Sequence, residues 1–341
     1  MAPNAIQSQA PAVSDASGAA GEHFVTVFDH RFLVQGLALF ESLRRYEPAA
    51  TLWVLCLDAG VEQQIQHLKI PGLRALSLAG LETDELRAAK ANRSRVEYIY
   101  TLTPFAIEFA AVASGGMQRI TYLDADLYFF RSPVTLFREL EAAGASVLMT
   151  EHGYAPQYAR LEATSGRFCV QFLPVEWNDA GRQVVRDWQQ KCLSGAGRSL
   201  EGRAHVFGDQ MYLNDWPTRF PCAVYVSTAR RDMLAPWNAN FELGRGEAGH
   251  TPVFFHFHSL RLLPAGWIQL SAGYQVGRAA PLYDAYVDAL ARQRSLLLER
   301  GLGFVKTHRP DQAAWLLRLF WRALRRKVVL RRWPPRSGHA A

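Results

Sequence analysis

The first 125 residues alternate between short, almost unbroken apolar runs and stretches whose apolar residues recur at helical spacing. Residues 24–28, 51–57 and 120–123 are runs of the first kind, and each stops at an aspartate: Asp29, Asp58 and Asp124. Unbroken apolarity marks a strand covered on both faces, as in a parallel sheet. Residues 33–45, with Leu37, Leu39, Phe40 and Leu43 for a stripe, predict a helix, as do 61–68, 81–90 and 103–113; residues 73–78 fit a further strand. This β-α-β-α order predicts a parallel α/β sheet. Right-handed crossovers gather the loops after such strands on one edge, where ligands bind, and the three aspartates fall on that edge.

The second half is less regular. Residues 146–149, 168–175, 223–226 and 253–258 predict strands. Residues 181–193 predict a helix with Val184, Val185 and Trp188 on one side, and another helix starts after Gly208. Glycine and proline interruptions point to a mixed sheet with loops that build an acceptor pocket. Residues 281–300, stopped by Gly301, and 312–330 predict two C-terminal helices. No internal repeat is visible. The expectation is one α/β domain over residues 22–280, its mixed, mainly parallel sheet flanked by helices. A helical extension over 281–335 and disordered tails at 1–21 and 336–341 complete it.

Composition changes this picture little until the charge is placed. With 341 residues, 49% hydrophobic and 12% aromatic, the chain can bury a sizeable core, which excludes wholesale disorder. Four widely spaced cysteines, Cys56, Cys169, Cys192 and Cys222, form no CxxC, so no zinc knuckle or thioredoxin-like site is readable. A reducing cytoplasm is the expected home. Residues 1–21 have neither the charged start nor the apolar core of a signal peptide, and no apolar run approaches the ~20 residues of a spanning helix. The formal charge of +7 is concentrated: Arg318, Arg322, Arg325, Arg326, Lys327, Arg331 and Arg332 share one stretch without an acid. Trp315, Leu319, Phe320 and Trp321 interleave with them. A basic amphipathic helix with aromatic residues on its apolar side fits an anionic membrane surface, here through residues 313–332 at the inner face of the cell membrane. A helix packed on the domain is the alternative. No motif that reads nucleic acid accompanies it, so no nucleic-acid partner is expected.

The candidate chemistry centres on Ile120-Thr-Tyr-Leu-Asp-Ala-Asp-Leu-Tyr-Phe-Phe130. Residues two apart in an extended segment point to one side, so Asp124 and Asp126 can reach one point. Two aspartates in an apolar run are costly to bury unless paired or holding a cation. Mg²⁺ or Mn²⁺ fits, since such ions take carboxylate oxygens together with substrate phosphates; a pair of turn-forming aspartates is the alternative. Three further patterns belong with this pair. Asp209 and Gln210 open a helix, where capping is the plain explanation for the aspartate. His256 and His258 alternate with phenylalanine and share one strand face. Buried core histidines would look the same, but imidazole beside carboxylates moves the expected ion from Mg²⁺ towards Mn²⁺. Asp29 could meet a base or ribose, or start a turn.

Together these patterns resemble the GT-A glycosyltransferases, most closely the family 8 retaining transferases that use nucleotide sugars, in a divergent form. The resemblance covers about residues 24–263. Tyr122-Leu-Asp-Ala-Asp126 looks like the family's Asp-x-Asp motif, and Ser132-Pro-Val-Thr-Leu-Phe137 like the segment after it. Gly208-Asp-Gln-Met-Tyr-Leu-Asn214 looks like its Asp-Gln-x-x-Leu-Asn helix, and His256-Phe257 like its late metal histidine. The resemblance implies a Rossmann-like GT-A fold and a metal-dependent hexosyltransferase. Such an enzyme moves a sugar from a nucleoside-diphosphate sugar, a UDP-sugar in most of the family, to a hydroxyl of a cell-surface glycan or lipid-linked saccharide, with retention of configuration. Carried over, Asp124 touches ribose and metal, Asp126 and His256 ligate Mn²⁺ (Mg²⁺ as the alternative), and Ala125 borders the donor. Asp29 faces the base, Gln210 lies beneath the anomeric carbon, and Asp209 holds the sugar's hydroxyls.

The chain departs from the family pattern at three places. His256-Phe-His-Ser259 and Leu260-Arg-Leu-Leu-Pro264 stand where the family has His-Phe/Tyr-x-Gly and Lys-Pro-Trp, with Arg261 in the position of a phosphate-binding lysine. Phe168-Cys-Val-Gln171 replaces the usual Asn-Ala-Gly, and residues 103–113 lack the usual arginine, for which Arg93 or Arg95 would substitute. Two other readings compete. A nucleotide-sugar pyrophosphorylase needs a basic, glycine-rich loop that Asp29-His-Arg-Phe-Leu-Val-Gln-Gly36 lacks. A catalytically degenerate, membrane-associated scaffold has no need of Asp124, Asp126, Asp209, Gln210 and His256 together.

Overall fold

The structure is a computed structural model and describes residues 21–195, 208–247, 249–263, 266–303 and 328–332. Strands β1 (His23–Phe28), β2 (Thr51–Cys56), β3 (Leu73–Ser77) and β4 (Arg119–Leu123) are the apolar runs of the first half, all parallel, in the spatial order β3-β2-β1-β4. Their side chains divide by parity between two cores. Phe24 and Phe28 of β1 enter one, against Val34, Leu37 and Phe40 of the helix Leu33–Tyr46. Val25 and Val27 enter the other, against Leu102, Ala106 and Ile107 of the helix Arg95–Ala113. This is why the runs are apolar without alternation. Each such fully buried side chain contributes on the order of 1.5–3 kcal/mol, and a one-residue slip would exchange the cores.

The helix Arg95–Ala113 begins earlier than the expected start at residue 103. Ser94 and Glu97 form a capping box: the Ser94 hydroxyl accepts from Glu97 N at 3.3 Å, and the Glu97 carboxylate accepts from Ser94 N at 2.7 Å. Pro104 is accommodated within the helix. The expected helix over 81–90 is a turn, Leu78–Leu81, followed by Asp84–Ala91, because the Thr83 side chain caps the second piece by accepting from Leu86 N at 3.3 Å.

Beyond β4 the chain adds β5 (Leu127–Phe129), β6 (Val147–Glu151), β7 (Phe168–Cys169), β8 (Phe172–Glu176) and β9 (Val224–Val226). It continues with β10 (Met233–Leu234), β11 (Phe254–His256), β12 (Arg261–Leu263), β13 (Trp267–Ala272) and β14 (Val328–Arg332). β8 lies antiparallel beside β4 and β6 antiparallel beside β8, while β6 also carries β7 antiparallel and β9 parallel. β5, β10 and β11 form a small second sheet, and β12, β13 and β14 an antiparallel third. A mixed, mainly parallel sheet flanked by helices is the class that the sequence predicts.

Two further expectations need correction here. The single strand over 168–175 is two strands: Cys169 pairs with Thr150 of β6, Phe172 pairs with Leu123 of β4, and the chain breaks at Val170 and Gln171. The C-terminal helix over 312–330 does not run to its expected end. Residues 304–327 lie outside the described ones, as do 1–20 and 333–341 of the tails, but Val328–Arg332 is the strand β14, antiparallel to β13. Val328 and Val329 are β-branched and favour an extended backbone. Arg331 pairs with Asp284, and the Arg332 guanidinium carbon lies 4.5 Å over the Trp267 ring. Among the described residues no helix is long and apolar enough to cross a membrane.

Candidate active site

β4 ends at Leu123 and the chain turns at once, Leu127 N donating to Asp124 O at 3.2 Å before β5 leaves for the small sheet. A turn, rather than one face of an extended strand, therefore presents the two carboxylates. Strand pairing supplies the third group. β11 runs antiparallel to β5 with His256 opposite Leu127, and Phe257 N donates to Asp126 O at 2.9 Å. His256 Nε2 sits 3.1 Å from Asp126 Oδ1 and 3.7 Å from Asp124 Oδ2. Burial alone would raise the Asp126 carboxyl, but the charge of His256 and its hydrogen bond outweigh burial and hold it at about 2. In turn, against the effect of burial, Asp126 pushes His256 well above the ordinary imidazole value. Burial raises Asp124, against the pull of His256.

The other ring nitrogen is also fixed. His256 Nδ1 lies 2.8 Å from Gln171 Oε1. An amide oxygen only accepts, so Nδ1 carries the proton, and a neutral ring presents its Nε2 lone pair to a cation. Gln171 reaches this position through the break between β7 and β8, where its carbonyl also accepts from Asp124 N at 2.9 Å. Two carboxylates that each approach an oriented ring nitrogen are donors of the kind that fit a divalent cation.

Asp209 and Gln210 lie on the single turn Gly208–Met211, which continues as a 3₁₀ turn rather than a long helix. Both are buried and line the same cleft as the Asp124–His256 cluster. Asp209 Oδ1 accepts from Gln210 N at 2.9 Å, and the Asp209 carbonyl accepts from Trp188 Nε1 at 2.9 Å. Burial, and then the charge of Asp124, pushes the Asp209 carboxyl up to about 7.

The three strand-end aspartates separate in role. Asp29 borders the cleft with its oxygens engaged: Oδ1 accepts from Arg31 N at 2.9 Å, and Oδ2 accepts from Arg31 Nη2 and Arg95 Nη2, each at 2.6 Å. Burial would raise its carboxyl, but the two guanidinium groups hold it below the ordinary range. Asp58 caps the helix Ala59–Leu68, accepting from Val61 N at 2.9 Å, contacts His30 Nδ1 at 2.7 Å, and is not part of the cleft wall. Of the two arginines expected near the aspartate pair, Arg95 reaches Asp29, while Arg93 turns away to the Cys192 carbonyl at 2.7 Å. Arg261 lines the cleft, its guanidinium carbon 6.0 Å from the Phe32 ring centre.

The cleft holds about 360 Å³, within the range of small-molecule sites. Ala125 lies in its wall, as does His258, whose ring centre is 5.7 Å from that of His256. Burial, and then the His256 charge, brings His258 down to about 4, so it is neutral at physiological pH. An aromatic wall faces these groups. Trp237 packs edge-on at 5.5 Å from His256 and 5.6 Å from His258, and Tyr154 stacks on His152 at 4.8 Å. Sequence reasoning does not single out Gln171, Trp237, Tyr154 or Tyr274 as site residues. The local signals are a polar Gln171 inside an apolar run and the position of Phe168-Cys-Val-Gln171 where the resembling family has Asn-Ala-Gly.

No protein-family model matches the chain. Two Bacillus subtilis proteins of uncharacterised function are similar in sequence. YfnD is 26% identical over 297 residues, covering 85% of this chain and 93% of YfnD, and YfnF is 28% identical over 254 residues, covering 70% and 82%. Among solved structures, the glycosyltransferase GlyE of Streptococcus pneumoniae superposes with a TM-score of 0.52 at 16% identity, covering 84% of this chain and 66% of GlyE. An active-site mutant of LgtC superposes at 0.51 and 10% identity, covering 85% and 98%. The bifunctional glycosyltransferase WbbM superposes at 0.51 and 12% identity, covering 84% and 53%. At these identities the likeness speaks for architecture alone, and in architecture the chain has the GT-A fold.

Proposed function

We propose that the protein is a metal-dependent glycosyltransferase that moves a sugar from a nucleoside-diphosphate sugar to a hydroxyl acceptor with retention of configuration. The observation that carries this reading is the convergence of Asp124, Asp126 and His256 beside buried Asp209 and Gln210, in one cleft at the carboxyl edge of a mainly parallel sheet. Asp126 and His256 would hold the cation, Mn²⁺ or Mg²⁺, with Asp124 shared between it and the donor ribose. A cation bound there supplies Lewis-acid neutralisation of the departing diphosphate. Gln210, whose amide is a poor nucleophile, stabilises and positions the oxocarbenium-like sugar. Asp209, whose carboxyl burial and then the Asp124 charge push up to about 7 without a cation, would hold the sugar's hydroxyls. The acceptor hydroxyl attacks the face that the leaving group vacates and passes its proton to a diphosphate oxygen, which retains configuration.

Asp29 with Arg31 would frame the nucleoside end, for which uridine is the proposed base, and Arg261, in the cleft wall, would meet phosphate. The aromatic wall of Trp237, Tyr154 and Tyr274 suits the apolar faces of sugar rings. A cell-surface glycan or a lipid-linked saccharide is the proposed acceptor, met at the inner face of the cell membrane through the basic C-terminal segment. The test is thermal unfolding with uridine, cytidine and guanosine diphosphate sugars, with and without Mn²⁺, because a ligand of the native state raises its melting temperature. A Mn²⁺-dependent rise with one donor is expected, and Asp126→Ala should abolish both the rise and transfer. Near-normal transfer by that variant would end the metal-dependent reading, and an inverted product by anomeric NMR would end the retaining one.

A further inference from the structure

Cys169 differs from the other cysteines in what surrounds it. Cys56 and Cys192 are buried in the two apolar cores, and Cys222 is exposed. Cys169 is also buried, in a small cluster with Ala235 and Trp237, but it lines the cleft that holds Asp124 and His256. Its sulfur, a carboxylate oxygen of Asp124 and a ring nitrogen of His256 all lie within 4.8 Å of one another. Among the described residues this is the one group of His, Cys, Asp and Glu side chains that converges so closely. The position is held by the backbone. Cys169 pairs with Thr150 of β6, whose hydroxyl donates to the Cys169 carbonyl at 3.1 Å, and the chain leaves the strand immediately afterwards.

We infer that Cys169 is a further, sulfur ligand of the cation held by Asp124, Asp126 and His256, and that it tunes the centre towards borderline ions such as Co²⁺ and Zn²⁺. The inference rests on the metal-dependent reading above and names the metal class that this chain's own residues select. Ligands bound at roughly 2.0–2.3 Å around one tetrahedral ion stand some 3.3–3.8 Å apart, so the cluster would have to draw in by at most about 1–1.5 Å. Carboxylate and imidazole alone serve Mn²⁺ or Mg²⁺, whereas a thiolate adds preference for softer ions. On binding, the thiol proton leaves to solvent and the sulfur enters as thiolate.

The experiment is a Co²⁺ titration of the full-length protein with a thiol-free reductant, followed by absorbance, alongside Cys169→Ser and Cys222→Ser. Expected are visible d–d bands together with a near-ultraviolet thiolate-to-Co²⁺ charge-transfer band. Cys222→Ser should keep both. Cys169→Ser should keep the d–d bands, lose the charge-transfer band and bind Co²⁺ more than about tenfold more weakly, with a smaller change for Mn²⁺. Visible bands without charge transfer, or a charge-transfer band that survives Cys169→Ser, would overturn sulfur ligation and leave the metal-dependent reading standing. Failure of the wild type to bind Co²⁺ or Mn²⁺, with or without a nucleoside diphosphate, would overturn both. Should Cys169→Ser not fold, alkylation of the wild type read peptide by peptide decides the matter: Co²⁺ must protect the Cys169 peptide, and equal labelling with and without metal overturns the inference.

Discussion

Asp209 shows how a single carboxyl can set pH dependence. Its value of about 7 stands well above the ~3.9 of an unfolded chain. Between those values the folded chain holds a proton that the unfolded chain has released, so stability falls as pH rises from about 4 to about 7. Asp209→Asn cannot ionise, yet keeps an oxygen for the Gln210 amide. Without added cation it should exceed the wild type at pH 8 by an amount on the order of a few kcal/mol, and match it at pH 4. Chemical denaturation at both pH values checks this, and an equal gap at both would move the effect to packing. Asp124, Asp126, Asp209, Gln210 and His256 are legible in sequence because each lies in a short motif whose chemistry is contiguous. Gln171 and Cys169 are not. What brings them to the site is a strand break, and the apolar run over 168–175 hides it.

At the level of elements, the sequence reads strands well where parity divides them between two cores, since such strands must be apolar throughout. It reads helix starts less well where polar caps extend the helix beyond its apolar stretch, as Ser94 and Glu97 do. The three strand-end aspartates look alike in sequence, and only packing separates them. Asp58 serves the helix Ala59–Leu68. Asp58→Ala should lower stability by about 0.5–2 kcal/mol, the usual worth of an N-cap, while nucleotide binding stays unchanged. Urea denaturation and donor titration together test this: lost binding at unchanged stability would return Asp58 to the site. The end of the chain is misread for a related reason. Periodicity cannot announce that Val328–Arg332 finds a strand edge at β13, a partner some sixty residues earlier in sequence.

For the whole molecule, the +7 charge belongs to the C-terminal stretch, but not all of it is free to meet a membrane. Arg331 is paired with Asp284 and Arg332 covers Trp267. Deleting the segment would also strip β14 from its sheet, so charge removal is the cleaner test. Changing Arg318, Arg322, Arg325 and Arg326 to Gln should weaken binding to anionic vesicles by about 1 kcal/mol per residue near the surface, with little effect on neutral ones. Unchanged partition would sink the anchor. A different long-range consequence follows from the turn at Asp124–Asp126. β4 belongs to the large sheet, while β5 and β11 belong to the small one, so the two aspartates stand where the chain crosses over and His256 stands on the far side. A cation shared by them would close a loop between two separately hydrogen-bonded sheets. Its binding free energy would then act on how one sheet seats against the other, so donor arrival would stiffen the seam and product release would loosen it in the same step.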